Sequence, residues 1–231
     1  MSKSEAKRIQ TSFLNRAEKK ALGWLVTKVP DRMTSDCLTW IGVAGAVICA
    51  VGFALGNLNI QWLWLSSGGL VINWLGDSLD GTLARYRQTQ RPTYGFYIDH
   101  SLDAITICIM CIGAGLSPLF YFSIAMLALA GYLVLSIFTY IGTLLKDEFR
   151  LTYGGFGPTE FRLAIIILNT LAIFTPFLRW GVVICGYFFN VFDFLGVAII
   201  VTLFTLIFWQ FGSDLKYFAK KDPLPPYHPK K

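Results

Sequence analysis

The chain has 231 residues, of which 55% are hydrophobic, 16% aromatic and only 15% charged, and it carries a net charge of +6. Soluble globular domains devote about a quarter of their residues to charge, so this composition excludes that class and reads as an integral membrane protein. The positive excess suits anionic lipid head groups and phosphate-bearing ligands; nucleic acid is set aside as a partner, because the basic residues are spread along the borders of apolar segments.

In chain order, the first readable element is "LNRAEKKALGWLVTKV", residues 14–29. Leu14, Ala17, Ala21, Leu22 and Leu25 recur at helical spacing with Lys and Arg between them, which predicts an amphipathic helix lying on a membrane surface; a plain charged leader is the alternative. The first 36 residues show no signal-peptide pattern and are expected to be retained. Residues 38–76 then contain no Asp, Glu, Lys or Arg, and neither do residues 104–145. At about 1.5 Å per residue, each run is roughly twice what a hydrocarbon core of about 30 Å needs. Each therefore folds back once, at "GNLN" (56–59) and at "GLSP" (115–118), where Gly, Asn and Pro end helices. A fifth span follows Arg162 ("LAIIILNTLAIFTPF"), a less regular stretch is bracketed by Arg179, Trp180 and Asp193, and a sixth span covers about 194–212. The tail "AKKDPLPPYHPKK" is basic, Pro-rich and expected to be extended.

The expected fold is thus all-α and membrane-integral, with six transmembrane helices preceded by an amphipathic interfacial helix. The expected organisation is a cytoplasmic N-terminal segment (1–36), a six-helix membrane domain (37–212) and a basic tail (213–231). Of the 20 Lys and Arg, 19 fall in alternate inter-span segments and the opposite face holds only Arg179, which predicts cytoplasmic termini. The five cysteines are scattered; Cys108 and Cys111 form a CxxC inside an apolar run and read as small apolar side chains rather than metal or redox ligands.

The chemistry concentrates in residues 76–103, "GDSLDGTLARYRQTQRPTYGFYIDHSLD". Asp77 lies near the end of the second span, and Asp99 and Asp103 near the start of the third. Asp77, Asp80 and Ala84 share one helix face, and Gly95, Asp99 and Asp103 share another. Ionised carboxylates at that depth each cost up to about 2.5–3.5 kcal/mol and repel one another, so they call for neutralisation by protons, by arginines or by cations. Two divalent cations would balance four carboxylates, and hard oxygen ligands suit Mg2+ or Mn2+. Such a pair at a membrane edge suits a pyrophosphate substrate and phosphoryl transfer. Gly81 and Ala84 leave room for a ligand to approach closely.

Asp77, Asp80, Gly81, Ala84, Arg85, Gly95, Asp99 and Asp103 match DxxDGxxAR, nine residues, then GxxxDxxxD. In this pattern the chain resembles the CDP-alcohol phosphotransferase (CDP-alcohol phosphatidyltransferase) family, membrane enzymes that move a substituted phosphate from a CDP-activated donor to an alcohol and release CMP. "MTSDCLTWIG" (33–42) is similar to the threonine-rich entry to the family's first span. The resemblance implies that Asp77, Asp80, Asp99 and Asp103 hold two metals, that Gly81, Ala84, Arg85 and Gly95 lie along the nucleotide, and that Asp103 is a candidate base. Dimers are common in the family, and nothing in the sequence excludes one.

Two further features resemble the choline and ethanolamine phosphotransferase branch: "DHSLD", with His100 after Asp99, and "GPTE", ending in Glu160. That resemblance implies His100 and Glu160 as bases for the acceptor hydroxyl; the plainer readings are a packed histidine and a helix-capping glutamate. The family runs in two directions. One joins a CDP-linked polar head group to a lipid alcohol, which His100 and Glu160 favour and which is the expected direction. The other joins CDP-diacylglycerol to a small soluble alcohol such as an inositol or glycerol phosphate, which Lys146, Arg150 and Arg162 favour as acceptor-phosphate contacts; the same three also serve as positive-inside anchors. An ion or proton carrier is the alternative of another class, but carriers hold their ionisable groups near the midplane, whereas these lie at one edge.

Overall fold

The structure, a computed structural model, describes residues 7–9, 14–146, 148–150 and 157–225. The described residues form seven α-helices: α1 (Asn15–Leu25), α2 (Ser35–Leu55), α3 (Leu63–Tyr86), α4 (Pro92–Gly115), α5 (Phe122–Lys146), α6 (Pro158–Phe174) and α7 (Val191–Lys221). Two small sheets complete the fold. Strands β1 (Lys7–Ile9) and β2 (Glu148–Arg150) pair in parallel, and β3 (Gly181–Ile184) and β4 (Tyr187–Asn190) form an antiparallel hairpin.

Four of these helices, α2, α4, the 122–142 part of α5, and α7, are long and apolar enough to cross a membrane. The other two expected spans are present as helices but fall short of that description among the described residues. Helix α3 carries Asp77, Asp80 and Arg85 in its last turns, which dilutes its hydropathy, and α6 has 17 residues, about 26 Å of rise. Helix α7 does not stop at Gly212; "SDLKYFAKK" continues it to Lys221, because nothing between Gly212 and Asp222 breaks a helix.

Helix α2 packs along α3 and α4, α6 lies on α3, and α5 bridges α4 and α7. The α2–α3 seam is a backbone contact. A Cβ added at Gly45 would overlap the Asn73 backbone, and one added at Gly76 would overlap that of Gly42, so only glycine admits this approach. At the end remote from the aspartates, Phe53, Leu63, Leu119, Ile173 and Phe192 form a closed core. Asp193 belongs to that end and is 1% exposed. Its oxygens accept from the backbone N–H groups of Tyr121 (2.9 Å) and Asn190 (3.0 Å), so it caps α7 and anchors the α4–α5 loop.

Helix α1 is amphipathic as expected and docks Leu22, with Val26 just beyond it, against Leu38, Leu79 and Leu83. The "GVVICGYFFN" hairpin was not foreseen as strands; Cys185 and Gly186 turn it with φ of 51° and 84°, the left-handed pair that a two-residue hairpin loop requires.

Candidate active site

The close α2–α3 seam and the return of the chain through α4 bring three helix ends together. Asp77, Asp99 and Asp103 each place a carboxylate oxygen within 4.8 Å of the other two. All three are half-buried. This all-oxygen donor set is of the kind that hard divalent cations take. Asp80, one turn on from Asp77, is held differently: its Oδ2 accepts from Thr39 Oγ1 of α2 (2.7 Å), its Oδ1 accepts from Gly81 N–H (2.5 Å), and its carbonyl accepts from Ser35 Oγ (2.9 Å). Arg162 of α6 donates from Nη2 to Asp77 Oδ2 at 2.8 Å, setting a cation on the cluster.

The cluster opens into a cavity of about 2300 Å³, larger than the roughly 300–1,000 Å³ of an ordinary small-molecule site. At one end it is lined by Asp77, Asp80, Asp99 and Asp103; deeper, by apolar residues including Met110, Phe120, Ile124, Leu168 and Ile199. Gly81, Ala84, Arg85 and Gly95 line the polar end. Space is free at both glycines: a Cβ on Gly95 would meet nothing within 4 Å, and one on Gly81 would meet only the Arg85 guanidinium, at 3.5 Å or more. A flat or extended ligand can lie against the backbone there. Arg85 Nη2 donates to Thr82 Oγ1 at 3.3 Å. Deep in the cavity, Asn169 Nδ2 donates to Ser66 Oγ (3.4 Å) and Ser67 Oγ (3.2 Å), tying α6 to α3.

His100 lines the same cavity. Its Nδ1 lies 3.6 Å from Asp99 Oδ2, its ring stacks on Phe96 at 4.2 Å, and Tyr140 of α5 closes on it at 5.0 Å. Glu160 sits elsewhere: Thr159 and Phe161 line the cavity but Glu160 does not. Its Oε1 accepts from Leu14 N–H (2.9 Å) and its Oε2 from Gly157 N–H (3.0 Å), the arrangement of a capping glutamate. The side chains of Lys146 and Arg150 lie outside the described part of the structure.

Two contributors were not singled out from sequence. Thr39 fixes Asp80; it stands inside the threonine-rich entry to α2. Glu18 of α1 accepts at Oε1 from Trp74 Nε1 (3.0 Å), Ser78 Oγ (3.4 Å) and Thr159 Oγ1 (2.8 Å), joining α1, α3 and α6 beside Asp77. Its signal was available: Glu18 falls between Leu14 and Leu22 on the apolar face of an amphipathic helix, where an acid needs partners.

A cluster of carboxylates thus stands at the helix ends, with a cavity leading from it into the apolar bundle. The family model described as CDP-alcohol phosphatidyltransferase matches residues 32–208. The chain belongs to that family. Among curated proteins it is similar to Cholinephosphotransferase 1 of Danio rerio, 29% identical over 189 residues, 75% of this chain and 47% of that protein. It is also similar to Phosphatidylinositol phosphate synthase of Cutibacterium acnes, 36% identical over 72 residues, 31% of this chain and 32% of that protein. The chain spans about half the length of the first relative and a third of the second.

Proposed function

We propose that the protein transfers a phosphate-linked polar head group from its CDP-activated form to a lipid alcohol, releasing CMP, at the cytoplasmic face of a membrane that α2–α7 cross six times. One observation carries this reading: a single cavity joins the aspartate cluster, where a pyrophosphate would be held, to an apolar interior where a lipid would lie. The alignment to a cholinephosphotransferase over most of the chain supports this direction. The alternation of basic residues supports the orientation, and the three-part division at 37 and 212 follows from the same pattern.

Asp77, Asp99 and Asp103 fit divalent cations as they stand, and Asp80 would join them on leaving Thr39. Mg2+ or Mn2+, when bound, neutralises the pyrophosphate and stabilises the oxygens that gain charge during transfer. The chain's own residues do the rest. Gly81, Ala84, Arg85 and Gly95 receive the nucleotide, and the apolar cavity directs the acceptor hydroxyl to the carboxylate end. His100, oriented by Asp99, takes the hydroxyl proton, with Asp103 as the second candidate. The deprotonated oxygen attacks the phosphorus bearing the head group; the pyrophosphate bond breaks and CMP departs with its electron pair. Glu160 would have to release the Leu14 and Gly157 backbone before acting as a base, so its first role is to fix the start of α6.

The second reading, CDP-diacylglycerol with a small phosphorylated alcohol, is favoured by Arg162 at the cluster and by the shorter alignment to a phosphatidylinositol phosphate synthase. The test is to give purified protein CDP-choline or CDP-ethanolamine with diacylglycerol or ceramide, and CDP-diacylglycerol with soluble alcohols, and to identify the lipid product by mass spectrometry. Product from the first set alone is expected; product from the second alone would reverse the direction.

A further inference from the structure

Asn73 stands one turn before Asp77 on α3 and is 3% exposed. Its Nδ2 donates to Gly42 O across the α2–α3 seam at 3.0 Å. A backbone carbonyl only accepts, so the amide can sit in one orientation: nitrogen toward Gly42, oxygen away from it. That oxygen, Oδ1, is buried and has no hydrogen-bond partner among the described residues. Asn73 also lines a small chamber of about 20 Å³ shared with all four aspartates and Thr39. A single water needs about 10–15 Å³, so the chamber has room for one oxygen-sized guest between Asn73 and the carboxylates.

We infer that Asn73 is a positioning residue of the cation site, its Oδ1 accepting a hydrogen bond from one water of the coordination shell. The inference rests on the reading that the aspartates hold divalent cations. Mg2+ retains several waters when carboxylates bind it, and a retained water facing the interior of a helix bundle needs an acceptor. A fifth carboxylate would add repulsion to a cluster already rich in negative charge; an amide oxygen accepts without charge. The α2–α3 backbone contact makes this partner rigid, because Gly42 fixes the amide and Gly45 brings α2 against the Asn73 backbone. Outer-shell groups of this kind commonly change metal affinity by about 10–100-fold when removed.

The test is Mn2+ titration of the purified full-length protein without nucleotide, following the free-ion electron paramagnetic resonance signal, in wild type, Asn73→Leu and Asn73→Asp. Leu keeps the approximate volume and removes the oxygen; Asp keeps an oxygen and removes the donor to Gly42. The expected result is Mn2+ binding at least ten-fold weaker in Asn73→Leu and no weaker than wild type in Asn73→Asp, which keeps the oxygen and adds a charge that attracts the cation. Asn73→Ala, which removes the oxygen without adding bulk, replaces the Leu variant if that one does not fold, with the same loss expected. Unchanged Mn2+ affinity in Asn73→Leu or Asn73→Ala would overturn the inference and leave the cation site standing. Equal weakening in the Leu and Asp variants would also overturn it, by assigning the effect to the Gly42 hydrogen bond. Failure of the wild type to bind Mn2+ would overturn the inference together with the cation reading beneath it.

Discussion

Along α2 and α3 the two backbones touch, with Gly45 and Gly76 leaving no room for a Cβ. Between α6 and α7, by contrast, Ile165 and Leu168 on one helix and Ile199 and Thr202 on the other line the same broad cavity. The first region is dense and polar at its end; the second is wide and apolar. The contrast teaches a division of labour: Asp77, Asp80 and Asn73 are positioned by a close backbone seam, while the α4–α7 side leaves the wide apolar space that the proposed lipid substrate requires. Differential binding at a reacting centre needs the first property, and admission of a long apolar ligand needs the second.

The comparison can be broken most severely at the seam. Gly45→Leu would drive a side chain into the Asn73 backbone, and the expected outcome is loss of folded, monodisperse protein in fluorescence-detected size-exclusion chromatography. Recovery of a stable protein would show that the seam yields. Within the site, Asp103→Asn should leave the fold intact and lower CMP release by about 10²-fold or more, the usual span for removing a general base or its equivalent; full activity with unchanged metal dependence would contradict the assignment. On the open side, Ala128→Phe narrows the cavity wall of α5 and should raise the KM for the lipid substrate about ten-fold, matching an overpacking cost of about 1.4 kcal/mol, with nucleotide binding unchanged. If nucleotide binding fell equally, the two halves would not be separable. The smallest effect on turnover is expected at the edge between them: Glu18→Ala deprives Trp74, Ser78 and Thr159 of their acceptor and should be read as a drop in melting temperature, on the order of 1–3 kcal/mol of stability, with kcat little changed.

Much of this was legible in the sequence, and the reasons differ by element. Charge-free runs and helix breakers located α2, α4 and α5, and helical spacing alone put Asp99 and Asp103 on one face. The amphipathic pattern of α1 was plain. The hairpin of β3 and β4 was not, because "GVVICGYFFN" is apolar throughout and lacks the alternation of a half-buried strand. The extension of α7 was missed because a rise in charge after Gly212 marks a membrane border, which is not the end of a helix. In the site, the aspartates announced themselves by motif, whereas Thr39 and Asn73 depend on how α2 lies against α3, and spacing within one helix carries no record of that. The "GPTE" glutamate shows the converse: Glu160 is a first-turn acid whose hydrogen bonds in the structure are those of a cap.

The central claim is a cation-dependent transfer from a CDP-linked donor at the aspartate cluster. Its most direct test is CMP release by the purified protein in lipid and detergent from CDP-choline or CDP-ethanolamine with diacylglycerol, measured with Mg2+ or Mn2+, after chelation, and after the cation is restored. The account predicts CMP with either cation, none in chelator and recovery on restoration. Release that persists in chelator, or no release from these donors while the protein binds CDP regardless of cation, would contradict it.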